Sequence, residues 1–159
     1  MKITIIAVGK IKESYWRAAI EEYRKRLQKY CKLTIIEVED EKTPDRASAL
    51  MNDQIREKEA GRILAALTKD GYVVTLEIDG KPLDSPGLAD FIDRLGVRGT
   101  SHIQFIIGGS LGLHSSVTAR ADRALSCSAM TFPHQLMRVI LLEQIYRGYR
   151  IIAGEPYHK

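Results

Sequence analysis

Three segments in the second half of the chain combine residue types that can do chemistry. The first runs from Ile107 to His114 and places Gly108, Gly109 and Gly112 within five residues, after an apolar stretch. Such a loop allows positive φ and lets backbone amides come close to a ligand, although it also serves as an ordinary tight connection. The second is Ser126-Cys127-Ser128-Ala129-Met130-Thr131-Phe132-Pro133-His134. Small hydroxyl and thiol residues there leave backbone groups free to bind, and Pro133 suits the first turn of a following helix. A plain strand-to-helix turn reads the same way. The third is Tyr157-His158, in a terminal stretch where most chains are featureless.

What is missing narrows the chemistry. No G-x-G-x-x-G follows the first apolar stretch, and no G-x-x-x-x-G-K-[ST] occurs, which argues against dinucleotide and phosphate-loop binding. There is no G-x-S-x-G elbow and no H-E-x-x-H. His102, His114, His134 and His158 do not pair at ligand spacing, so no metal is expected. Cys31 and Cys127 are too few and too far apart for a disulfide framework and are read as reduced thiols.

These segments need elements to position them. Lys2 to Val8 predicts a buried strand ending at Gly9. Ser14 to Tyr30 has apolar residues at helical spacing. A second strand is expected over Leu33–Val38. A second helix is expected over about Ala47–Leu67, with Leu50, Met51, Ile55, Ile63, Leu64 and Leu67 inward. Tyr72 to Ile78 reads as a third strand closed by the turn pair Asp79-Gly80, and Asp84-Ser85-Pro86 as a helix start. A fourth strand over His102–Ile107, a short helix near Ser115–Arg123, a fifth strand over Leu125–Met130 and a last helix from His134 to about Ile152 complete the pattern. Alternation of strand and helix predicts one α/β domain over residues 1–159, a parallel sheet with helices on both faces. Ligands in such sheets sit beyond the carboxyl ends of the strands. The first two segments lie at strand ends, and the third lies beyond the last helix.

The chain has 159 residues and a net charge of +4. That suits one domain and permits a nucleic-acid partner without demanding one. From Lys10 to Lys32 there are eight basic and three acidic residues, and from Glu37 to Glu59 eight acidic and four basic. The basic stretch is either a solvated helix face or a surface for phosphates, through Arg17, Arg24, Lys25, Arg26 and Lys29. No apolar run reaches the roughly 20 residues of a membrane span, and no signal peptide is read at the start, so a cytoplasmic protein is expected.

The full chain resembles the RlmH family of SPOUT methyltransferases. The resemblance rests on Lys2 to Lys10, Thr75 to Lys81, the Ile107–His114 loop, Ala129 to Gln135, Arg138-Val139, Glu143 to Arg147 and Tyr157-His158-Lys159. It implies S-adenosylmethionine as the methyl donor and N3 of a pseudouridine in large-subunit (23S) rRNA of the assembled ribosome as the acceptor. It also implies a homodimer and a deep trefoil knot over roughly residues 72–159. By the same resemblance Leu76, Gly108, Cys127, Ser128, Ala129, Met130, Thr131 and Phe132 hold the cofactor, largely through backbone, with Cys127 no nucleophile. His158 and Tyr157 are then expected at the target base, reaching across the dimer. Arg138 is a candidate for a phosphate or an anionic base edge, or else a surface or interface ion pair. His134 is read as a support for the loop, and His102 and His114 as structural. Two readings compete: a ribosome-binding or assembly factor without activity, and a small-molecule α/β enzyme binding another nucleotide.

Overall fold

The computed structural model describes residues 1–158; Lys159, the last residue of the tail motif, lies outside them. Five parallel strands form one sheet in the order β2-β1-β4-β3-β5. They are β1 (Lys2–Val8), β2 (Lys32–Val38), β3 (Tyr72–Pro82), β4 (His102–Ile107) and β5 (Arg123–Ser126). The helices between them are α1 (Ser14–Leu27), α2 (Ala49–Ala66), α3 (Ser85–Val97), α4 (Ser115–Arg120) and, last, α5 (His134–Ile152).

The period-2 alternation of β1 sorts its side chains onto two cores. Ile3, Ile5 and Ala7 join a cluster that includes Leu27, Leu88, Ile92, Leu141, Leu142 and Ile145 from α1, α3 and α5. Ile6 and Val8 join the opposite cluster, with Ala60 and Ile63 of α2 and Val117 of α4. The sheet is therefore sandwiched between three helices and two. Such double coverage is why β1 and β4 read as nearly unbroken apolar runs.

β4 and α5 fall where the spacing places them, and Asp84 caps α3 by accepting from the Gly87 amide at 2.7 Å. Five expectations are corrected. The Asp79-Gly80 pair does not end β3, which continues to Pro82 while its register with β5 shifts between Leu76 and Lys81. A Cβ on Gly80 would stand 2.6 Å from the Leu125 carbonyl carbon, so glycine serves close approach to β5 rather than a turn. β5 stops at Ser126 instead of Met130. There Ser126 Oγ donates to the Ser128 carbonyl and Ser128 Oγ accepts from the Met130 amide, and these local bonds replace the ladder. α4 ends at Arg120, because Asp122 turns aside to exchange backbone and carboxylate bonds with Val73. Leu50 and Met51, expected inward, are 69% and 42% exposed. The buried seam of α2 begins only at Ile55, and its first turn stays in solvent. α1 also ends earlier than expected, at Leu27.

Candidate functional site

The carboxyl ends of β3, β4 and β5 open into one cavity walled by three chain segments. β3 supplies Leu76, Glu77 and Ile78. The connection after β4 supplies Gly108, Gly109, Ser110, Gly112 and Leu113. The connection after β5 supplies Cys127, Ser128, Met130, Thr131 and Phe132, and α5 adds His134 and Met137. Of the eight residues expected to hold a cofactor, seven line this cavity; Ala129 does not.

Local sequence explains the shape. Gly109 and Gly112 bridge to each other in an antiparallel pair, and Gly112 takes a φ of 79° that favours glycine. A Cβ on Gly108 would crowd Leu113 Cδ2 at 3.0 Å and the Gly112 carbonyl carbon at 3.1 Å, so the tight fold-back of the loop favours glycine here. Leu76 and Ile78 share one face of β3. Glu77 accepts a 2.6 Å hydrogen bond from Thr75 Oγ1 and is the one carboxylate among the described lining residues. Loss of solvent pushes the Cys127 thiol above its ordinary pKa. It is therefore no ready thiolate.

For Arg138 the ion-pair reading holds, but its own end of the pair is buried rather than at the surface: it is 2% exposed beneath the start of α5. Nη2 donates to the carbonyls of Val8 and Gly9 at 2.9 and 2.6 Å, and Nη1 to Glu37 at 2.6 Å. Glu37 also accepts from the Ile11 amide at 2.9 Å. Gly9 has a φ of 90°, and the turn it makes presents its carbonyl to the guanidinium. The arginine thus ties α5 to the ends of β1 and β2 and fixes the segment that carries Phe132 and His134. His134 is half-buried at the edge of the cavity. Burial first, and the Arg138 charge second, push its ring below the ordinary histidine pKa, against the opposing pull of Asp40 and Glu13. The ring is neutral near pH 7.

The tail lies elsewhere. Glu155 accepts from Tyr30 and from Lys29 Nζ (2.8 Å) and pairs with Arg150, at the amino end of the sheet. Tyr157 packs edge-on against Tyr146 with centroids 5.0 Å apart, beneath the Arg147 guanidinium, and its hydroxyl donates to Glu143 at 3.3 Å. Arg147 holds Glu143 by two bonds of 3.0 and 2.6 Å, and its Nη1 stands 3.4 Å from His158 Nδ1. Neither Tyr157 nor His158 lines the cavity. Met137 at its wall and Arg147 under the tail are ten residues apart, about 15 Å along the helix axis. The structure brings the cofactor candidates together and keeps the tail candidates apart from them.

Glu77, Ile78 and Met137 were not singled out from sequence. The alternation of β3 marks Ile78 as the neighbour of Leu76, and Met137 sits one helical turn after His134. Glu77 carries no such signal. His102 bonds Thr4 and Thr68 at the amino end of the sheet, and His114 caps α4. Among the described residues no cluster of three or more His, Cys, Asp or Glu is placed to hold a metal, and no helix is long and apolar enough to cross a membrane.

A family model described as "Predicted SPOUT methyltransferase" matches residues 1–158. The chain belongs to the SPOUT methyltransferase family. This methyltransferase is 62% identical over 159 residues to ribosomal RNA large subunit methyltransferase H of Bifidobacterium adolescentis, 60% to that of Clostridium beijerinckii and 58% to that of Clostridium kluyveri; each match covers all of both chains. A probable methylase family protein from Haemophilus influenzae Rd KW20 superposes with a TM-score of 0.55 at 9% identity, covering 99% of this methyltransferase and 70% of that chain. At that identity the likeness speaks for the fold alone.

Proposed function

We propose that the chain transfers a methyl group from S-adenosylmethionine to N3 of a pseudouridine in the large-subunit (23S) rRNA of assembled ribosomes, as a cytoplasmic homodimer. The observation that carries this reading is the cavity at the carboxyl ends of β3, β4 and β5 in a chain of a methyltransferase family. The name shared by its relatives supports rRNA as the substrate class. The meeting of the β3, post-β4 and post-β5 segments around one cavity supports a C-terminal trefoil knot over roughly residues 72–159.

The cavity suits this cofactor. Leu76, Ile107, Leu113, Met130 and Phe132 offer an apolar slot for a flat adenine ring. The glycines bring backbone groups within reach, and Glu77 opposes a positive sulfonium or ammonium. A neutral His134 adds no competing charge. S-adenosylmethionine, when bound, supplies a methyl carbon activated for displacement. The protein aligns that carbon with the acceptor nitrogen and needs no covalent intermediate of its own.

The acceptor N3 must lose its proton, which calls for a base or a group that stabilises the anion. His158 and Tyr157 are the proposed residues. Within one subunit they sit well away from the cavity, so they act on the cavity of a second copy. Glu143 and Arg147 position this pair: Arg147 presses on the Tyr157 ring and reaches His158.

Two measurements test the reading. Calorimetry is expected to show micromolar-range binding of S-adenosylmethionine; folded protein that does not bind it would sink the proposal and favour an inactive ribosome-binding factor. Large-subunit rRNA from cells lacking the gene is expected to be one methyl group lighter at a pseudouridine. The wild-type copy restores the mass and His158→Ala does not.

A further inference from the structure

A second surface bears on how the substrate is held, and the inference rests on the rRNA reading above. A groove beside α3 and the sheet edge is lined by Tyr72, Lys81, Phe91, Arg94, Arg98 and Arg123, among others. Arg123 lies over the Phe91 ring, its guanidinium carbon 4.7 Å from the centroid, and Tyr72 meets Phe91 edge-on at 5.8 Å. The two rings thus form a rigid floor that holds Arg123 in place. The groove shares Tyr72 and Arg98 with a neighbouring hollow that adds Lys69 and Arg120. Six cations and three carboxylates line the two together. Asp90 is taken by Arg94 at 2.8 Å and Asp122 by Arg120 at 3.7 Å. Lys69, Lys81, Arg98 and Arg123 have no ion pair among the described residues.

The position of these charges matters as much as their number. They follow β5, the outermost strand on that side of the sheet. The groove shares Leu83 with a third hollow, which carries one carboxylate, Asp84, and no cation, and that hollow shares Cys127 with the cofactor cavity. The cations thus form a track beside β5 that approaches the cofactor cavity with one hollow between. By contrast Arg24, Arg26 and Lys29, three of the five cations expected on α1 to meet phosphates, are already paired with Glu21, Glu22 and Glu155.

We propose that the track along β5, through Lys81, Arg98 and Arg123, carries the sugar-phosphate backbone of the rRNA strand flanking the target nucleotide. Separated cations along a path fit a repeating anion, and such contacts fix register without reading bases. Each neutralised phosphate releases counterions, so affinity falls steeply with salt.

The test is the full-length double variant Lys81→Glu/Arg98→Glu, both positions being exposed. Ribosome affinity is expected to fall at least ten-fold, and the slope of log affinity against log salt to shrink by about two. Affinity for S-adenosylmethionine is expected to stay at the wild-type value, which shows that the variant is folded. A photo-crosslinking residue in place of Arg98 should recover rRNA. Unchanged ribosome affinity in a variant that binds S-adenosylmethionine overturns the track, as do cross-links to ribosomal proteins alone. Wild-type protein that binds S-adenosylmethionine but not ribosomes overturns the substrate reading itself.

Discussion

Arg138 and His134 stand one turn apart on α5 and divide the labour of shaping the cavity rim. Arg138 brings a buried charge to three acceptors; removing it leaves the buried Val8 and Gly9 carbonyls without this donor, while the part-exposed Glu37 turns to water. Arg138→Ala is expected to cost about 3 kcal/mol, read as a lower urea midpoint at constant m-value. Cofactor affinity should weaken as well, because the Phe132 and His134 segment loses its anchor. His134 gives a pH signature. Its folded pKa lies below that of the unfolded chain, so the native state binds fewer protons across that window. The contribution to stability is complete above the ordinary histidine value and is lost as pH falls through the lowered one. His134→Gln is expected to flatten this part of the stability-against-pH curve. The identity of Arg138 was plain in the sequence, but its role was not: its acceptors Glu37, Val8 and Gly9 lie 101 to 130 positions away. A cation with no visible partner reads as a ligand group until the fold supplies one.

At the scale of elements, the strands and helices were legible wherever one period ran unbroken between clear caps, as in β4 and α5. The errors fall where local bonding competes with the period. Asp79-Gly80 has turn composition, yet the glycine there makes room for β5. Ser126 and Ser128 end a strand that apolar content alone would extend to Met130. The glycine loop and the segment before Pro133 were readable as site material, because small residues at strand ends are a compositional signal. Glu77 was not, since a charged residue in a strand usually faces solvent. The tail is a latched element. Hydrogen bonds from Lys29 and Tyr30, and the Arg150 charge, hold the Glu155 carboxyl below its ordinary pKa. The latch therefore holds above the ordinary carboxylate range and is lost as pH falls through the lowered value. Glu155→Gln is expected to loosen the tail at neutral pH, seen as faster amide hydrogen exchange at positions 155, 157 and 158 with exchange in β1 and β4 unchanged.

At the scale of the whole molecule, a net charge of +4 says little until it is mapped. The basic run of α1 drew attention because it is contiguous in sequence. The cations along β5 come from β3, α3 and β5, and only the strand order β2-β1-β4-β3-β5 gathers them. Strand order is a long-range property that period and composition do not encode, which is why the sheet could be foreseen and this surface could not.

The distance between the tail and the cavity has a genetic corollary. If each working centre joins the cavity of one subunit to the tail of another, a subunit with a blocked cavity still lends a sound tail, and the converse holds. Gly108→Val and His158→Ala preparations, each inert, should regain activity when co-expressed. Random pairing would restore about a quarter of the centres. Two broken alleles would then rescue each other, as they cannot where every chain is self-sufficient.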